Sequence, residues 1–525
     1  MLTTKSWSNR TRITRKFFDA VVAALIVWVS ATTSSGADSI NSVQPNLLPV
    51  ITTPVHDDDA INWTAILKNK KGAIRYVGSA AEFNKASANA RPGDVIIVRN
   101  GTYNWSGLDV VSKGTAVSPI IYMAETSGQV AFAGGVSQVM KILGSHNIIG
   151  GFVFDGVTER PLELTGPTGA GTTGASDNRI TDIAMRNCGK ARPYWMLEIS
   201  RRANRNRIDH SVFDQNYGHV RLLIAEQDAV DNGPSQDTRI DHNIFKNTRG
   251  NNDAGMRIPV LQIGQGSPSQ KGSDLLNVHL IFENNTVLNH QTYYVDGLIS
   301  VKSSRNIIRH NRFIDSHGAV GLRDGNYNEV YGNYFSGKGG DPAIYLLGAH
   351  HRVYNNIIDT PERSRTIVIS RWGKRSCPEN PTWCTAYPPT HDLLVANNTI
   401  LKFGEVGIDV GRCDRGACEK LNNIIVANNI IVARSGTLFR YEPGSAVNVL
   451  VSNNLYFKNG TSTCGLGCEI DRHPVFADPL IEDPLFLQSR SPAVNAGLTL
   501  TEIREDFSGR QRDQNKGPDI GAIEH

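Results

Sequence analysis

The fold can be inferred from residues 299–335, which read ISVKSSRNIIRHNRFIDSHGAVGLRDGNYNEVYGNYF. Apolar and polar residues alternate in its short runs, and this period of two is typical of β-strands. Lys302 ends one run on its polar side, and Arg323 has the equivalent place about 21 residues later, roughly one coil of a parallel β-solenoid. Since stacked coils lie about 4.8 Å apart, we expect Lys302 and Arg323 one above the other on the outer face of one sheet. Such a pair is a candidate acid and base for a polyanionic substrate, and two solvated cations are the simpler alternative.

The same pattern extends outward from this stretch. A β-branched run leads into Asn or His and then a second apolar pair, in copies that begin near residues 147, 207, 239, 280, 307, 330, 353, 394, 425 and 450. Asn311, Asn333 and Asn356 are 22 to 23 residues apart, so each coil is expected to hold three short strands around a narrow core. Asparagine tolerates left-handed bends and can hydrogen-bond along a stack, which predicts a structural role. A β-sandwich would instead need strands every 8 to 12 residues or so.

The composition and the ends of the chain divide it into four parts. Residues 1–37 have the basic region, apolar run and small-residue cleavage site of an export signal peptide. Residues 38–74 are interpreted as an N-terminal leader, residues 75–475 as the parallel β-helix catalytic domain and residues 476–525 as a C-terminal cap segment. Residues 79–90 have a helix-like composition, and a helix here would cover the open end of the solenoid.

The cysteines agree with export, and the charge gives no sign of a polyanionic nucleic acid or membrane partner. Removal of the signal would lower the formal charge from +4 to about zero, which gives no indication of nucleic acid or membrane as a partner. The cysteines form three close pairs that suit local disulfides in an oxidising compartment, Cys377 with Cys384, Cys413 with Cys418 and Cys464 with Cys468. Cys188 is interpreted as a core residue. We predict a secreted or periplasmic monomer with no metal cluster of the zinc type.

The central stretch resembles polysaccharide lyase family six, the chondroitinase B and alginate lyase enzymes. The resemblance rests on Ile299–Ser304, Asn306, Arg309, Asn311, Phe313, Gly318, Leu322, Arg323, Gly325 and Asn326, with support from residues 92–94, 100–103 and 351–356. It runs from about residue 75 to 360. It implies an all-β fold, a right-handed parallel β-helix, and cleavage of a uronate-containing polysaccharide by β-elimination. In that family the lysine of the SxKS strand is the base and the arginine one coil on is the acid, which here are Lys302 and Arg323.

Several positions depart from the family pattern. The family usually has acidic residues before the SxKS strand that hold calcium on the substrate carboxylate, whereas Val295 and Gly297 stand there in this chain. The strand similar to the family's IRIG reads LQIG from residue 261, and the one similar to RVIGE reads YLLGA from residue 345. We therefore predict no cofactor, with calcium left open. Candidate substrate contacts are Gln262, His290, Arg312, Tyr345 and Arg371, and for His290 a satisfied loop histidine is the simpler interpretation.

These observations give one leading hypothesis and two rivals. The leading hypothesis is an exported lyase that acts on an acidic polysaccharide, with alginate as the first choice because no sulfate pocket is visible. A C5-epimerase would begin with the same proton abstraction but return the proton from the other face. A carbohydrate-binding protein on a lyase scaffold would explain the missing acidic residues but not the retained Lys302 and Arg323.

Overall fold

The computed structural model describes residues 60–166, 174–190, 195–222, 234–248, 259–264, 276–290, 297–340, 342–361, 363–371, 389–413, 418–482, 486–513 and 516–525. The chain divides into residues 1–50 and 51–525, and all described residues belong to the second unit. The predicted signal peptide and the pair Cys377 and Cys384 lie outside the described residues. Among those that are described, no helix is long and apolar enough to cross a membrane.

The chain forms a right-handed parallel β-helix, as the sequence predicts, with one strand from each of three sheets in a coil. Sheet A contains β1 (Ile74–Val77), β2 (Val95–Val98), β5 (Ile120–Ala124), β8 (Asn147–Gly150), β11 (Arg179–Thr181), β14 (Arg207–Asp209), β17 (Arg239–Asp241), β20 (Ile281–Glu283), β23 (Ile307–Arg309), β26 (Glu329–Tyr331), β29 (Arg352–Tyr354), β32 (His391–Ala396), β35 (Leu421–Ala427) and β38 (Ala446–Ser452). Sheet B contains β3 (Gly101–Tyr103), β6 (Val130–Ala133), β9 (Phe152–Asp155), β12 (Ala184–Arg186), β15 (Val212–Asp214), β18 (Ile244–Lys246), β21 (Thr286–Leu288), β24 (Arg312–Ile314), β27 (Tyr334–Ser336), β30 (Ile357–Asp359), β33 (Thr399–Lys402), β36 (Ile430–Ala433) and β39 (Leu455–Lys458). Sheet C contains β4 (Leu108–Val110), β7 (Gln138–Ile142), β10 (Arg160–Leu164), β13 (Trp195–Ile199), β16 (His219–Leu222), β19 (Leu261–Ile263), β22 (Ile299–Lys302), β25 (Val320–Asp324), β28 (Ile344–Leu346), β31 (Arg365–Arg371), β34 (Val406–Cys413) and β37 (Thr437–Tyr441).

The core is a narrow apolar column inside the three sheets. Each strand contributes alternate residues to it, and rings from successive coils stack, for example Phe213 on Phe245 at 4.6 Å and Phe313 on Phe335 at 4.7 Å between centroids. All four rings are buried. The period of two in the sequence therefore has the predicted physical cause, since one face of every strand lies inside the coil.

The asparagine stack forms, but two neighbouring residues divide the roles that we expected of one asparagine. One residue adopts the left-handed bend, and the next makes the hydrogen bond along the stack. The first residue of each pair takes the left-handed conformation, as Asn355 does with φ 54° and Asn397 with φ 54°. The second turns inward, so that Asn333 donates to Asn356 at 3.0 Å and Asn356 donates to Asn398 at 3.0 Å. This ladder extends from Asn243 to Asp471. The division follows from geometry, because a left-handed residue on the outside of the bend points its side chain away from the column.

Two short helices lie near the N-terminal end, where the first packs on the outer face of sheet A and the second covers the end of the core. Helix α1 spans Trp63–Asn69, and α2 spans Ala80–Ala88, inside the predicted range 79–90. Ser79 caps α2 by accepting from the Glu82 N–H at 3.2 Å, and Glu82 in turn accepts from the Gly78 N–H at 2.8 Å. This arrangement is a variant of the capping box, in which the carboxylate accepts from the N–H of the residue before the N-cap and not from the N-cap itself. Phe83 of α2 is fully buried in the core, which closes the first coil.

The C-terminal segment lies differently from the cap that we expected. After a 3-10 helix at Leu466–Glu469 and the antiparallel pair β40 (Ile481–Glu482) and β41 (Phe486–Leu487), it runs back along the flank of the coils. Leu500 and Ile503 pack on sheet A, whereas Phe507 and Ile523 pack against Tyr334 and Ile357 of sheet B. Outward asparagines hold its backbone, for example Asn355, whose Nδ2 donates to the Glu505 carbonyl at 2.6 Å.

The cysteine predictions that fall on described residues are confirmed. Cys413 bonds to Cys418 and Cys464 bonds to Cys468. Cys188 is a free, buried thiol of the core, and burial raises its pKa to about 12. A thiol that is so hard to ionise is a poor nucleophile, in agreement with a structural role.

Candidate active site

The outer face of sheet C brings several candidate residues into one transverse row. Gln262 of β19 pairs with Ser300 of β22, Ser300 pairs with Gly321 of β25, and Gly321 pairs with Tyr345 of β28. Their neighbours Val301 and Leu322 are fully buried in the core. The row therefore faces away from the core, and Lys302 and Arg323 come two residues further along strands β22 and β25.

A register shift occurs where Lys302 and Arg323 meet. Pairs from Ile299 with Val320 to Val301 with Leu322 keep a constant offset, but Lys302 then pairs with Asp324 instead of Arg323. Arg323 is thus the extra residue of a β-bulge, a feature that re-aims a side chain and is frequent next to active sites. Lys302 and Arg323 lie on adjacent strands of one sheet, as the spacing predicts, but Asp324 and not Arg323 is the register partner of Lys302. Neither the bulge nor the position of Asp324 was predicted. Lys302, Arg323 and Asp324 are all partly exposed.

Two close backbone contacts fix the strand that carries Arg323. Gly325 has φ +91°, and a Cβ there would lie 2.1 Å from the Ser303 carbonyl oxygen. Gly318, at the other end of β25, has φ +88° and leaves only 2.7 Å between such a Cβ and the Leu298 nitrogen. Only glycine fits both the conformation and the space at these points. The β22 and β25 backbones are therefore held together on both sides of the bulge.

A buried arginine, Arg363, holds the turn that leads into β25. Its side chain is 1% exposed, and its guanidinium donates to the carbonyls of Ser316 at 2.6 Å, Gly318 at 2.9 Å and Pro342 at 3.0 Å. These carbonyls belong to the turns that precede β25 and β28. Arg363 thus joins the entry points of two strands of the site, and the sequence carries no local signal for it because arginine is usually a surface residue.

A network of buried amides holds the turn that follows Lys302. Asn306 donates to the Ser303 carbonyl at 3.2 Å, the Ser303 hydroxyl oxygen at 3.0 Å and Asn328 Oδ1 at 2.9 Å. The Asn328 N–H in turn donates to His351 Nδ1 at 3.1 Å, while His351 Nε2 donates to the Leu347 carbonyl at 2.9 Å. Burial lowers the pKa of His351 to about 4, so this imidazole is neutral near pH 7 and its tautomer fits both contacts. The network connects three coils directly behind Lys302.

The remaining candidates on sheet C differ in exposure. Tyr345 is only 6% exposed and packs with Ala319, Leu347 and Val368 in a small apolar cluster on the outer face. Gln262 is partly exposed, and its Nε2 donates to the Gly264 carbonyl at 2.8 Å. Arg371 lies on β31 and pairs with Glu442 at 2.6 Å. Gln262 and Tyr345 therefore border the Lys302 strand pair, whereas Arg371 lies further toward the C-terminal coils.

Two candidates do not share this face. Arg312 belongs to β24 of sheet B, where its guanidinium carbon lies 5.9 Å from the Tyr334 ring centroid. His290 is fully buried after β21, and its Nε2 lies 2.9 Å from the Gly297 carbonyl oxygen. The alternation that suggested Arg312 cannot distinguish one sheet of a coil from another. The burial of His290 and the contact of its Nε2 with the Gly297 carbonyl favour the simpler interpretation of a structural loop histidine.

The described residues of this face do not form a calcium site. Calcium requires about six to eight oxygen ligands, several of them carboxylates. On the described strands β19, β22, β25 and β28, Asp324 is the single acidic residue. Residues 291–296, which include Val295 and Asp296, lie outside the described residues. We derive no catalytic step through a metal.

Comparison with known families identifies the chain. The chondroitinase B family model matches residues 77–463, which covers most of the β-helix. Fold and match together define the class, a polysaccharide lyase built on a parallel β-helix. The chain belongs to the chondroitinase B family, which is part of polysaccharide lyase family six. This confirms the resemblance seen in the sequence. No curated protein matches.

Solved structures agree on the fold. A mannuronic acid specific family 6 lyase from human gut microbiota is 20% identical, with a TM-score of 0.60 over 78% of this chain and 92% of that one. The family 6 alginate lyase AlyGC is 21% identical, with a TM-score of 0.59 over 86% of this chain and 58% of that one. The family 6 lyase Pedsa3628 from Pseudopedobacter saltans is 20% identical, with a TM-score of 0.53 over 78% and 94%.

Proposed function

We propose that this lyase cleaves alginate by β-elimination, with Lys302 as general base and Arg323 as general acid. The observation that supports the proposal is the pairing of β22 with β25, which brings the strands that carry Lys302 and Arg323 side by side at a bulge. Alginate is chosen because solved relatives of the same fold are alginate lyases, including one specific for mannuronic acid. We also propose that the protein works outside the cytoplasm, where such a polymer would be met.

The chemistry follows from the acidity of the substrate. Lys302, as the neutral amine, removes the proton from C5 of a uronate. The electron pair of that bond forms the C4–C5 double bond, the C4–O4 bond breaks, and Arg323 delivers a proton to the departing O4. The C5 proton is very weakly acidic until the adjacent carboxylate is neutralised, so the site needs fixed positive charge there. We assign this charge to Arg323, with Gln262 and Tyr345 as the flanking contacts.

The test is ultraviolet absorbance of the unsaturated product over time. The full chain is incubated with alginate, dermatan sulfate or polygalacturonate, with and without EDTA. We expect absorbance to rise with alginate and to be unaffected by EDTA. Lys302→Ala and Arg323→Ala should each lower the rate by about 100-fold or more, the usual contribution of a positioned acid or base.

A matched lysine controls for the loss of a surface charge. Lys402 lies on sheet B, is 61% exposed and pairs with Asp359 at 3.1 Å, so Lys402→Ala should retain full activity. A rise with dermatan sulfate alone would replace alginate as the substrate but keep the chemistry. Exchange of the C5 proton without any absorbing product would favour the epimerase. Equal rates in Lys302→Ala and the wild type would refute Lys302 as the base.

A further inference from the structure

A column of outward side chains runs along the turn between sheets C and A. Arg305, Tyr327, His350, Asp392 and Asn423 occupy it in successive coils, and each has φ between 53° and 63°. The left-handed bend directs these side chains outward, where neighbours touch. Arg305 lies 4.6 Å from the Tyr327 ring centroid, and Tyr327 stacks on His350 at 4.4 Å. The column borders sheet A, because its residues precede strands of that sheet or lie at their start.

Two imidazoles meet one carboxylate at a single point of this column. His350 Nδ1 is 3.6 Å from Asp392 Oδ2, and His391 Nδ1 is 2.6 Å from the same oxygen. The two rings are nearly perpendicular, with centroids 5.3 Å apart. One ligand atom from each of the three residues lies within 4.8 Å of the others. Among the described residues this is the one group of three or more His, Cys, Asp and Glu side chains with that geometry.

We propose that His350, His391 and Asp392 bind a divalent transition-metal ion of the Zn²⁺ type. Two ligands bonded at about 2.1 Å with a tetrahedral angle are about 3.4 Å apart, and the separations of 2.6 and 3.6 Å lie on either side of that value. Two imidazoles with one carboxylate suit Zn²⁺, Cu²⁺ or Ni²⁺, whereas Ca²⁺ and Mg²⁺ prefer oxygen alone. The side chains are 33% to 37% exposed, so water completes the coordination.

Neighbouring residues orient the three ligands. Asn423 Nδ2 donates to Asp392 Oδ1 at 2.5 Å, which leaves Oδ2 turned toward the imidazoles. Tyr327 supports the His350 ring from the opposite side. The site opens into a groove of about 540 Å³ that Glu329, Arg352 and Glu502 also line. Such second partners of a ligand commonly change metal affinity by about 10- to 100-fold.

The bound ion would connect two coils. His350 precedes β29, and His391 and Asp392 begin β32, the next strand of sheet A. A metal that binds the folded chain but not the unfolded chain stabilises the fold in proportion to the logarithm of its concentration over Kd. The site would therefore be a structural cross-link between neighbouring coils, and it shares no residue with the proposed catalytic pair of Lys302 and Arg323.

The same column supplies an internal control. Asp237 and His279 form a histidine–carboxylate pair with 3.4 Å between Nδ1 and Oδ1. That pair also lies on left-handed residues, with φ 57° and 53°, but among the described residues it belongs to no group of three possible metal ligands. Substitution of His279 should therefore leave metal binding at the proposed site unchanged.

Calorimetric titration of the metal-free full chain with Zn²⁺ tests the proposal. We expect one saturable site in the wild type. The Kd should be at least about 100-fold higher in His391→Gln and in His350→Gln, and about 10-fold or more higher in Asn423→Ala. His279→Gln should bind as the wild type does. Zn²⁺ should also raise the melting temperature of the wild type, and Ca²⁺ at the same concentration should not.

Folding of each variant is checked by circular dichroism in EDTA, and the two histidine variants serve as replicas if one of them misfolds. Saturable Zn²⁺ binding with the same Kd in wild type, His350→Gln and His391→Gln would overturn the proposal. The absence of saturable binding in the wild type would overturn it as well.

Discussion

Replacing Asn306 by alanine should weaken both the fold and the reaction. Its side chain is fully buried and takes part in four hydrogen bonds, three to Ser303 and Asn328 and one from the Leu280 N–H at 3.1 Å. At about 1 kcal/mol for each net hydrogen bond, Asn306→Ala should lower the free energy of unfolding by about 4 kcal/mol. Because Ser303 follows Lys302, the turn behind the proposed base would also relax.

Asn333 offers a control with nearly the same energetic cost. It is fully buried and makes five side-chain hydrogen bonds, which predicts a loss of about 5 kcal/mol for Asn333→Ala. It lies between sheets A and B and has no contact with the turn after Lys302. Both variants should therefore lose stability, but only Asn306→Ala should lose turnover.

The assay combines urea unfolding, followed by circular dichroism, with kcat and KM measured at a temperature where both variants are folded. A displacement of about 1 Å in a reacting group can cost about 100-fold in rate, so we expect kcat of Asn306→Ala to fall by about 10- to 100-fold. Equal kcat values in the two variants would refute the link between the amide network and the position of Lys302. An unfolding free energy within about 1 kcal/mol of the wild type would refute the energetic argument.

Three further predictions test other parts of the molecule. Arg312→Ala should keep the wild-type kcat and KM on alginate, because β24 lies on sheet B, and a raised KM would restore Arg312 as a substrate contact. Burial by itself would raise the pKa of Asp241, but hydrogen bonds with His242 and Arg207 lower it from 3.8 to about 2. The carboxylate therefore stabilises the fold above about pH 4, and this stabilisation is lost as the pH falls toward about 2. Asp241→Asn should make the urea midpoint of unfolding less dependent on pH over that range. Replacing Cys413 and Cys418 by serine should lower the unfolding free energy by about 2 kcal/mol, the entropy of closing a short loop, whereas an unchanged urea midpoint would contradict the disulfide.

The architecture was predictable because it depends on local periodicity. Alternate residues enter the core and the pattern returns every coil, so Lys302 and Arg323 could be assigned to adjacent strands of one sheet from sequence spacing. The resemblance to the lyase family was found in the same residues, and the family match confirms it. The amphipathic helix before β2 was also predictable, since Ser79 and Glu82 form a local capping pattern.

Predictions were weaker wherever register or burial depends on distant parts of the chain. Arg312 and Lys302 look alike in a local pattern, yet two bends and the strand β23 lie between them, so their strands belong to different sheets. The flank position of residues 486–525 likewise depends on apolar surface presented by coils far away in the sequence, such as Ile357 and Ala427.

The sequence by itself determined the coil, its period and the adjacent strands that carry Lys302 and Arg323, because alternation is set by backbone geometry within each strand. Only the tertiary structure decided the bulge that aligns Lys302 with Asp324, the hydrogen bonds of Arg363 to the turns before β25 and β28, and the contact of His350 with His391. These features depend on how coils separated by insertions align, and hydrogen bonds between coils determine that alignment.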